Sequence, residues 1–289
     1  RDINKAIHYY SLAANQNYPQ AQFNLGLIYH EGKYISRDIN KAIHYYSLAA
    51  NQNDPQAQFI LGILYFEGIF IPKNIKKGIF FIELASKNRL KYAHFCAGYF
   101  YHKGDYITRD IRKAIHYYNE GSSFNDQYAK NNLAIIYKNG YGDEIRARTA
   151  NAIEYLEEAI RQKNDILSMY NLANIYIYDE SYENKIDKAI ELLFKSFDQF
   201  PHSCILLCLA LIKKFGFQRE EIEKHVRELN SKKSKADLSS IFRFLDLFQS
   251  TDDFTYYYEY YRDKYYLYNH LRKFVSLSEF LKQKRINMN

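Results

Sequence analysis

The chain is poor in the residues that mark several other architectures. Its 289 residues include no Trp, two Met, four Pro and three Cys. Three cysteines, Cys96, Cys204 and Cys208, are an odd set without the spacing of a disulfide scaffold. They fit a reducing compartment. Cys204 and Cys208 stand one helical turn apart, in the apolar run Cys204-Ile-Leu-Leu-Cys208, so they read as small buried hydrophobes rather than metal ligands. The longest strongly apolar run, 204–212, is too short to span a bilayer. No Asn-X-Ser/Thr sequon occurs among 23 asparagines, which argues against passage through the secretory lumen. Phosphate loops, dinucleotide-binding glycine turns, HExxH motifs and zinc-finger spacings are also missing. The chain is therefore read as a non-enzyme with no cofactor and no metal.

Charge of either sign is not concentrated. The net charge is +7, yet residues 1–72 carry five basic and five acidic groups. The excess lies in two patches, 73–108 and 213–289. That distribution does not make the basic stripe of a nucleic-acid binder. What the chain has in abundance is aromatic side chains, 30 Tyr and 20 Phe. Tyr, Asn, Ile and Lys share A/T-rich codons, so abundance of Tyr alone carries no functional argument.

The decisive feature is internal repetition. Residues 1–17, RDINKAIHYYSLAANQN, recur unchanged at 37–53, and 1–36 agrees with 37–72 at 28 of 36 positions. Diverged copies follow near 73–108, 109–146, 147–186 and 187–212. Each copy predicts two helices. Helix A opens at Asp2, Asp38 or Asp110, whose carboxylates suit an N-cap. Apolar side chains then recur at helical spacing, as in Ile3, Ala6, Ile7, Tyr10, Ala13 and Ala14. The NQN segment ends helix A, and Asp54-Pro55 suits the start of helix B. Gly32, Gly68, Gly104 and Gly140 each follow a helix B and suit a left-handed C-terminal cap. Glycine inside helix B, at 26, 62 and 98, predicts a close helix crossing.

The pattern Lys5-Ala6…Tyr9-Tyr10…Ala13-Ala14, then Ala21…Leu25-Gly26…Tyr29…Gly32, resembles the Sel1-like repeat of the tetratricopeptide-like superfamily. The second copy matches as Lys41-Ala42…Ala49-Ala50, then Ala57…Leu61-Gly62…Tyr65…Gly68. The resemblance covers about residues 1–212. It implies an all-α fold, an α-α superhelix: a right-handed solenoid of antiparallel helix pairs with a concave groove. It also implies a non-catalytic scaffold or adaptor for other proteins or peptide segments, without nucleic acid or a membrane span. Intracellular signalling in the cytoplasm is the leading setting. An adaptor of an endoplasmic-reticulum degradation complex, given an upstream signal peptide, or a structural oligomerisation element are the alternatives. The chain opens on Arg1 inside the repeating pattern, so further repeats or another domain, such as a kinase, are expected upstream.

With the apolar stripe turned inward, three positions of helix A face outward at i, i+3 and i+7. In the superfamily this face lines the groove. The resemblance thus nominates His8, Ser11 and Asn15; His44, Ser47 and Asn51; Phe80, Glu83 and Lys87; and His116, Asn119 and Ser123 as partner-binding residues. Glu154, Glu157 and Arg161 continue the series in the fifth copy. His8, His44 and His116 occupy one repeat position, one repeat apart, which sets them too far apart to converge on a metal.

Residues 213–289 read as a helical C-terminal region, with amphipathic segments at 218–230, 236–249, 252–274 and 277–285 and a capping box at Ser276 and Glu279. An array needs an end whose outer face tolerates water, and this region is expected to cap it. The Tyr-rich stretch 254–268 reads as an aromatic stripe packed on that end. The basic clusters Lys232-Lys233-Ser-Lys235 and Lys282-x-Lys284-Arg285 read as solvated helix ends.

Overall fold

A computed structural model describes residues 3–33, 35–141, 145–233 and 237–246. Asp2, the segments 252–274 and 277–285, the Tyr-rich stretch, the Ser276 capping box and the second basic cluster lie outside the described residues.

The described residues are helical, without a named strand. Four pairs come first: α1 (Ile3–Asn15) and α2 (Pro19–Glu31), α3 (Ile39–Asn51) and α4 (Pro55–Glu67), α5 (Ile75–Lys87) and α6 (Lys91–Lys103), α7 (Ile111–Ser123) and α8 (Gln127–Asn139). Then follow α9 (Thr149–Lys163) with α10 (Ile166–Tyr178), a 3-10 turn over Glu180–Lys185, α11 (Ile186–Ser196) with α12 (Pro201–Phe215), α13 (Arg219–Lys233) and α14 (Ser239–Leu245). Consecutive helices pack against each other from α1 to α7 and again from α9 to α13, as expected of an all-α repeat solenoid. Two compact units can be distinguished, one up to Ala129 and one from Lys130 on.

Caps set the period. The side chains of Asp38, Asn74 and Asp110 each accept the amide hydrogen of the residue three on, at 2.9–3.0 Å. Asp54 does the same for Ala57 at 2.8 Å, with Pro55 at the first helical position. These bonds satisfy donors that have no partner inside the helix. Helix A ends on a residue in the left-handed region, Asn17, Asn53 or Asn125, with Arg89 in the third copy. Asparagine tolerates that conformation. The linkers from helix B back to helix A are pinned alike: the amides of Asp38, Asn74 and Asp110 donate to the carbonyls of Tyr29, Tyr65 and Tyr101 at 2.8–3.0 Å.

In the first unit the helix-B glycines mark where helices touch. A Cβ at Gly26 would lie 2.6 Å from the Tyr46 ring, and one at Gly98 2.7 Å from the Tyr118 ring. Both tyrosines are fully buried. Their hydroxyls meet Nδ1 of His30 and His102 at 3.3 and 3.4 Å. The junction between the second and third copies uses other residues: Gly62 approaches Ile82, and Phe66 takes the place of the histidine. Two kinds of junction therefore alternate along the first four copies.

In the second unit one apolar core runs from Ala134 through α9–α12 and takes in Ile222 and Val226 of α13 and Ile241 and Leu245 of α14. Cys204 and Cys208 belong to it, and all three cysteines are buried and unbridged.

Candidate partner-binding face and a pocket in the third and fourth copies

Helix A of each copy presents the same row of side chains. His8, His44, Phe80 and His116 are exposed, each with its ring 5.4–5.6 Å from the aromatic residue that follows. From the second copy on, that next ring lies flat on the tyrosine near the end of the preceding helix B. Tyr29 stacks on Tyr45, Tyr65 on Phe81, and Tyr101 on Tyr117, with centroids 5.8–5.9 Å apart and planes within 11°. A lysine of helix A completes each stack: Lys41, Lys77 and Lys113 sit 4.2–5.2 Å from the centroids of Tyr29, Tyr65 and Tyr101. The second unit repeats the stack with Tyr137 and Tyr155 at 5.9 Å and 5°. Offset stacks and cation–π contacts stabilise each junction beyond the area they bury.

The other nominated positions differ in how free they are. Asn15, Asn51, Lys87, Asn119 and Ser123 are exposed, and Ser11, Ser47 and Glu83 are half-buried. Ser47 donates to its own helix at the Ile43 carbonyl, 2.7 Å away, and Ser123 to the Glu120 carbonyl at 2.6 Å. Glu83 is engaged inside the fold: Oε1 accepts from the Tyr101 hydroxyl at 2.7 Å and from the Tyr117 hydroxyl at 3.3 Å. Burial and then Glu83 push Tyr101 well above the ordinary phenol range; burial and the Glu83 charge push Tyr117 up to about 12. Glu157 in the fifth copy does comparable work, accepting from Lys188 at 2.7 Å and from Tyr176 at 3.3 Å. The Lys188 hydrogen bond is the main reason its carboxyl lies below the ordinary value.

Phe80, Glu83, Lys87 and His116 come together around one pocket of about 460 Å³. The first-copy and second-copy triplets, Asn119 and Ser123 do not line it. Ser86, Arg89, His94 and Glu120 do, although none of them belongs to the outward-facing series of helix A. His94 breaks the pattern of the first two copies. In the first two copies the equivalent residue is a glutamine that ties helix B to the helix before and the helix after. Gln22 donates to the Ala14 carbonyl and accepts from Gln52; Gln58 donates to the Ala50 carbonyl and accepts from Asn88, at 2.7–3.2 Å. His94 instead pairs through Nδ1 with the Ser86 hydroxyl at 2.7 Å and stacks on Phe124, centroids 5.3 Å apart. Burial lowers its pKa, Glu120 opposes that, and His116 and Arg89 reinforce it. No group of three or more His, Cys, Asp or Glu side chains among the described residues is placed to hold a metal ion. No helix among them is long and apolar enough to cross a membrane.

Six stretches fit the profile of the Sel1 repeat: 1–18, 19–54, 55–89, 91–123, 127–164 and 166–199. The chain belongs to the Sel1 repeat family. The profile's unit pairs a helix B with the following helix A, half a copy out of phase with the sequence repeat described above, at the same spacing. Among solved structures, a Sel1 repeat protein from Oxalobacter formigenes is 31% identical, over 65% of this chain and 79% of that one, with a TM-score of 0.54. The c5321 protein of uropathogenic Escherichia coli, a protective antigen with the same repeat fold, aligns over 97% of this chain at 19% identity and a TM-score of 0.64. This chain spans 63% of that protein's length, and the likeness concerns the fold alone. A comparison with curated proteins gives no match. The Sel1 repeat is generally a protein-interaction scaffold.

Proposed function

We propose that this Sel1 repeat chain is a non-catalytic scaffold whose partners lie across the helix-A rows of the first four copies. The observation that carries the reading is the division of labour along helix A. Ala42, Tyr46, Ala49 and Ala50 are buried in the junctions, whereas His44 and its counterparts His8, Phe80 and His116 stay exposed on a rigid, regularly spaced frame. An exposed aromatic residue beside polar ones, held on helices rather than loops, suits the recognition of a peptide or a helix. Phe80, 58% exposed, is the anchor of that surface.

The finer reading places the scaffold in a cytoplasmic signalling assembly, ahead of a lumenal degradation complex or an oligomerisation element. It is supported by three free, buried cysteines and by the missing sequons. We further propose that the array runs to about residue 212 and that α13 and α14 begin its cap. The burial of Ile222, Val226, Ile241 and Leu245 against the core of α12 supports that division.

The test is affinity capture from native lysate with the parent chain and with a folded His44→Ala/Phe80→Ala/His116→Ala variant. A discrete set of proteins held by the parent and released by the variant is the expected result. Equal capture by both would move the binding surface elsewhere and sink this reading.

A further inference from the structure

The first two copies are nearly identical, so they act as an internal reference for the third. Core differences in helix A of the third copy stay apolar or small, as in Ala42 to Gly78 and Tyr45 to Phe81, apart from Tyr46 to Ile82, which belongs to the change of junction described above. Around the pocket the differences change the chemistry. His44 becomes Phe80, Ser47 becomes Glu83, Ala50 becomes Ser86, Asn51 becomes Lys87, Asn53 becomes Arg89 and Gln58 becomes His94. Asn40 to Lys76 is a further gain of charge, on an exposed residue that does not line the pocket. Two cations, one acid and two further polar groups thus arrive together at one place.

Two of these arrivals run against local stability. Arg89 adopts φ 66°, in the left-handed region, where the matching residues of copies one, two and four are asparagine. An arginine there is strained by about 1 kcal/mol relative to asparagine, and strain held in this way collects at functional sites. His94 is 4% exposed, and its Nε2 has no hydrogen-bond partner among the described residues. A buried polar atom left without a partner destabilises the fold. When the Ser86 hydroxyl donates to Nδ1, the ring proton sits on Nε2, which then needs an acceptor.

The lining carries two acids, Glu83 and Glu120, and two cations, Lys87 and Arg89, a formal balance, but acids and cations are not joined in ion pairs among the described residues. Glu83 already receives two tyrosine hydroxyls, leaving Glu120 as the acid without such donors. Lys87 and Arg89 are exposed and form no ion pair among the described residues; Arg89 has only the face of Phe124, 5.6 Å from its guanidinium carbon. Phe80 supplies an apolar wall at the same pocket.

We propose that the Phe80–Lys87–Arg89–His94 pocket is the specificity subsite of the scaffold, and that it takes a carboxylate of a partner peptide with an apolar side chain next to it. The proposal rests on the scaffold reading above. Lys87 and Arg89 supply charge-assisted hydrogen bonds to the carboxylate, and Phe80 packs on the neighbouring side chain. An Asp or Glu side chain and a free chain terminus offer the same chemistry.

The experiment uses the whole chain on an array of short peptides, each holding Phe or Leu. One set carries Asp or Glu next to it with an amidated end, a matched set carries Asn or Gln, and a third ends in a free carboxylate. The variant is Lys87→Asn/Arg89→Asn, which restores the residues of the first two copies and so keeps a proven local fold; unchanged helicity and an equal or higher Tm confirm this. The acidic or free-carboxylate set is expected to bind at least about tenfold tighter than its neutral match, and the variant to erase that difference. Whichever carboxylate set is retained identifies the source. Equal binding of charged and neutral sets, or a difference that survives in the variant, overturns the carboxylate assignment. So does a parent chain that retains no peptide. In each case the scaffold reading is judged separately, by the capture experiment.

Discussion

A methyl group at position 98 would sit 2.7 Å from the ring of Tyr118, which belongs to the next copy and is fully buried. Neither side can yield without opening the junction. Gly98→Ala is therefore expected to destabilise the chain by about 1–3 kcal/mol, the range for overpacking a close contact, although alanine is the better helix former. Urea unfolding of the variant decides it, and a gain in stability would show that the crossing is looser than described. At position 89 the expectation has the opposite sign. Arg89→Asn relieves a left-handed arginine and should raise stability by about 1 kcal/mol, seen as a higher urea midpoint. An unchanged or lower midpoint would remove the strain argument.

At the scale of one helix against the next, the junctions differ in how they respond to acid. Burial, with help from Arg37, lowers the pKa of His30 to about 4; burial, Lys103 and Arg109 do the same for His102. In the unfolded chain both titrate near 6.5. As pH falls below that value the unfolded chain takes up protons that the folded chain refuses until about pH 4. The stabilisation from neutral burial is complete above 6.5 and is lost on the way down to 4, on the order of a few kcal/mol for the pair. The Tm is expected to fall across that window. The middle junction suggests the control: His30→Phe/Tyr46→Ile copies the Phe66/Ile82 pair and should remove part of the pH dependence. A profile identical to the parent's would place the acid sensitivity elsewhere.

Elements of this kind were largely legible in the sequence. Asp38, Asp54 and Asp110 announced helix starts because a cap is a bond over three residues, and Gly32 and Gly68 announced ends for a similarly local reason. The mid-helix glycines announced a close crossing, but not its partner. The pairs His30–Tyr46 and Gln22–Gln52 join residues 16 and 30 positions apart, and periodicity within a helix carries no trace of such links. Glu83 was nominated for a partner on its outward phase, whereas two tyrosines from other helices hold it. The pocket escaped for a related reason. Phe80, Glu83, Lys87 and His116 were found from their phase, whereas Ser86, Arg89 and His94 lie off that phase and are marked only by departure from the neighbouring copies.

For the molecule as a whole, stability in a stacked array is the sum of copies and of the junctions between neighbours. Each of the three junctions in the first unit can be described by the residues at one pair of equivalent positions: His30 and Tyr46, Phe66 and Ile82, His102 and Tyr118. Loss of residues 37–72 would bring His30 and Gly26 against Ile82, a smaller side chain with no hydroxyl. Loss of 37–108 would bring them against Tyr118, the partner type they already have. The longer deletion is therefore expected to melt at the higher temperature of the two, despite removing twice as much chain. A lower Tm for it would show that junction identity is not decisive. The identity of 1–17 and 37–53 lies at an offset of one copy. Across these three junctions the alternation sets an even-number rule: losing two adjacent copies keeps the partner type at the new seam, and losing one leaves it mismatched.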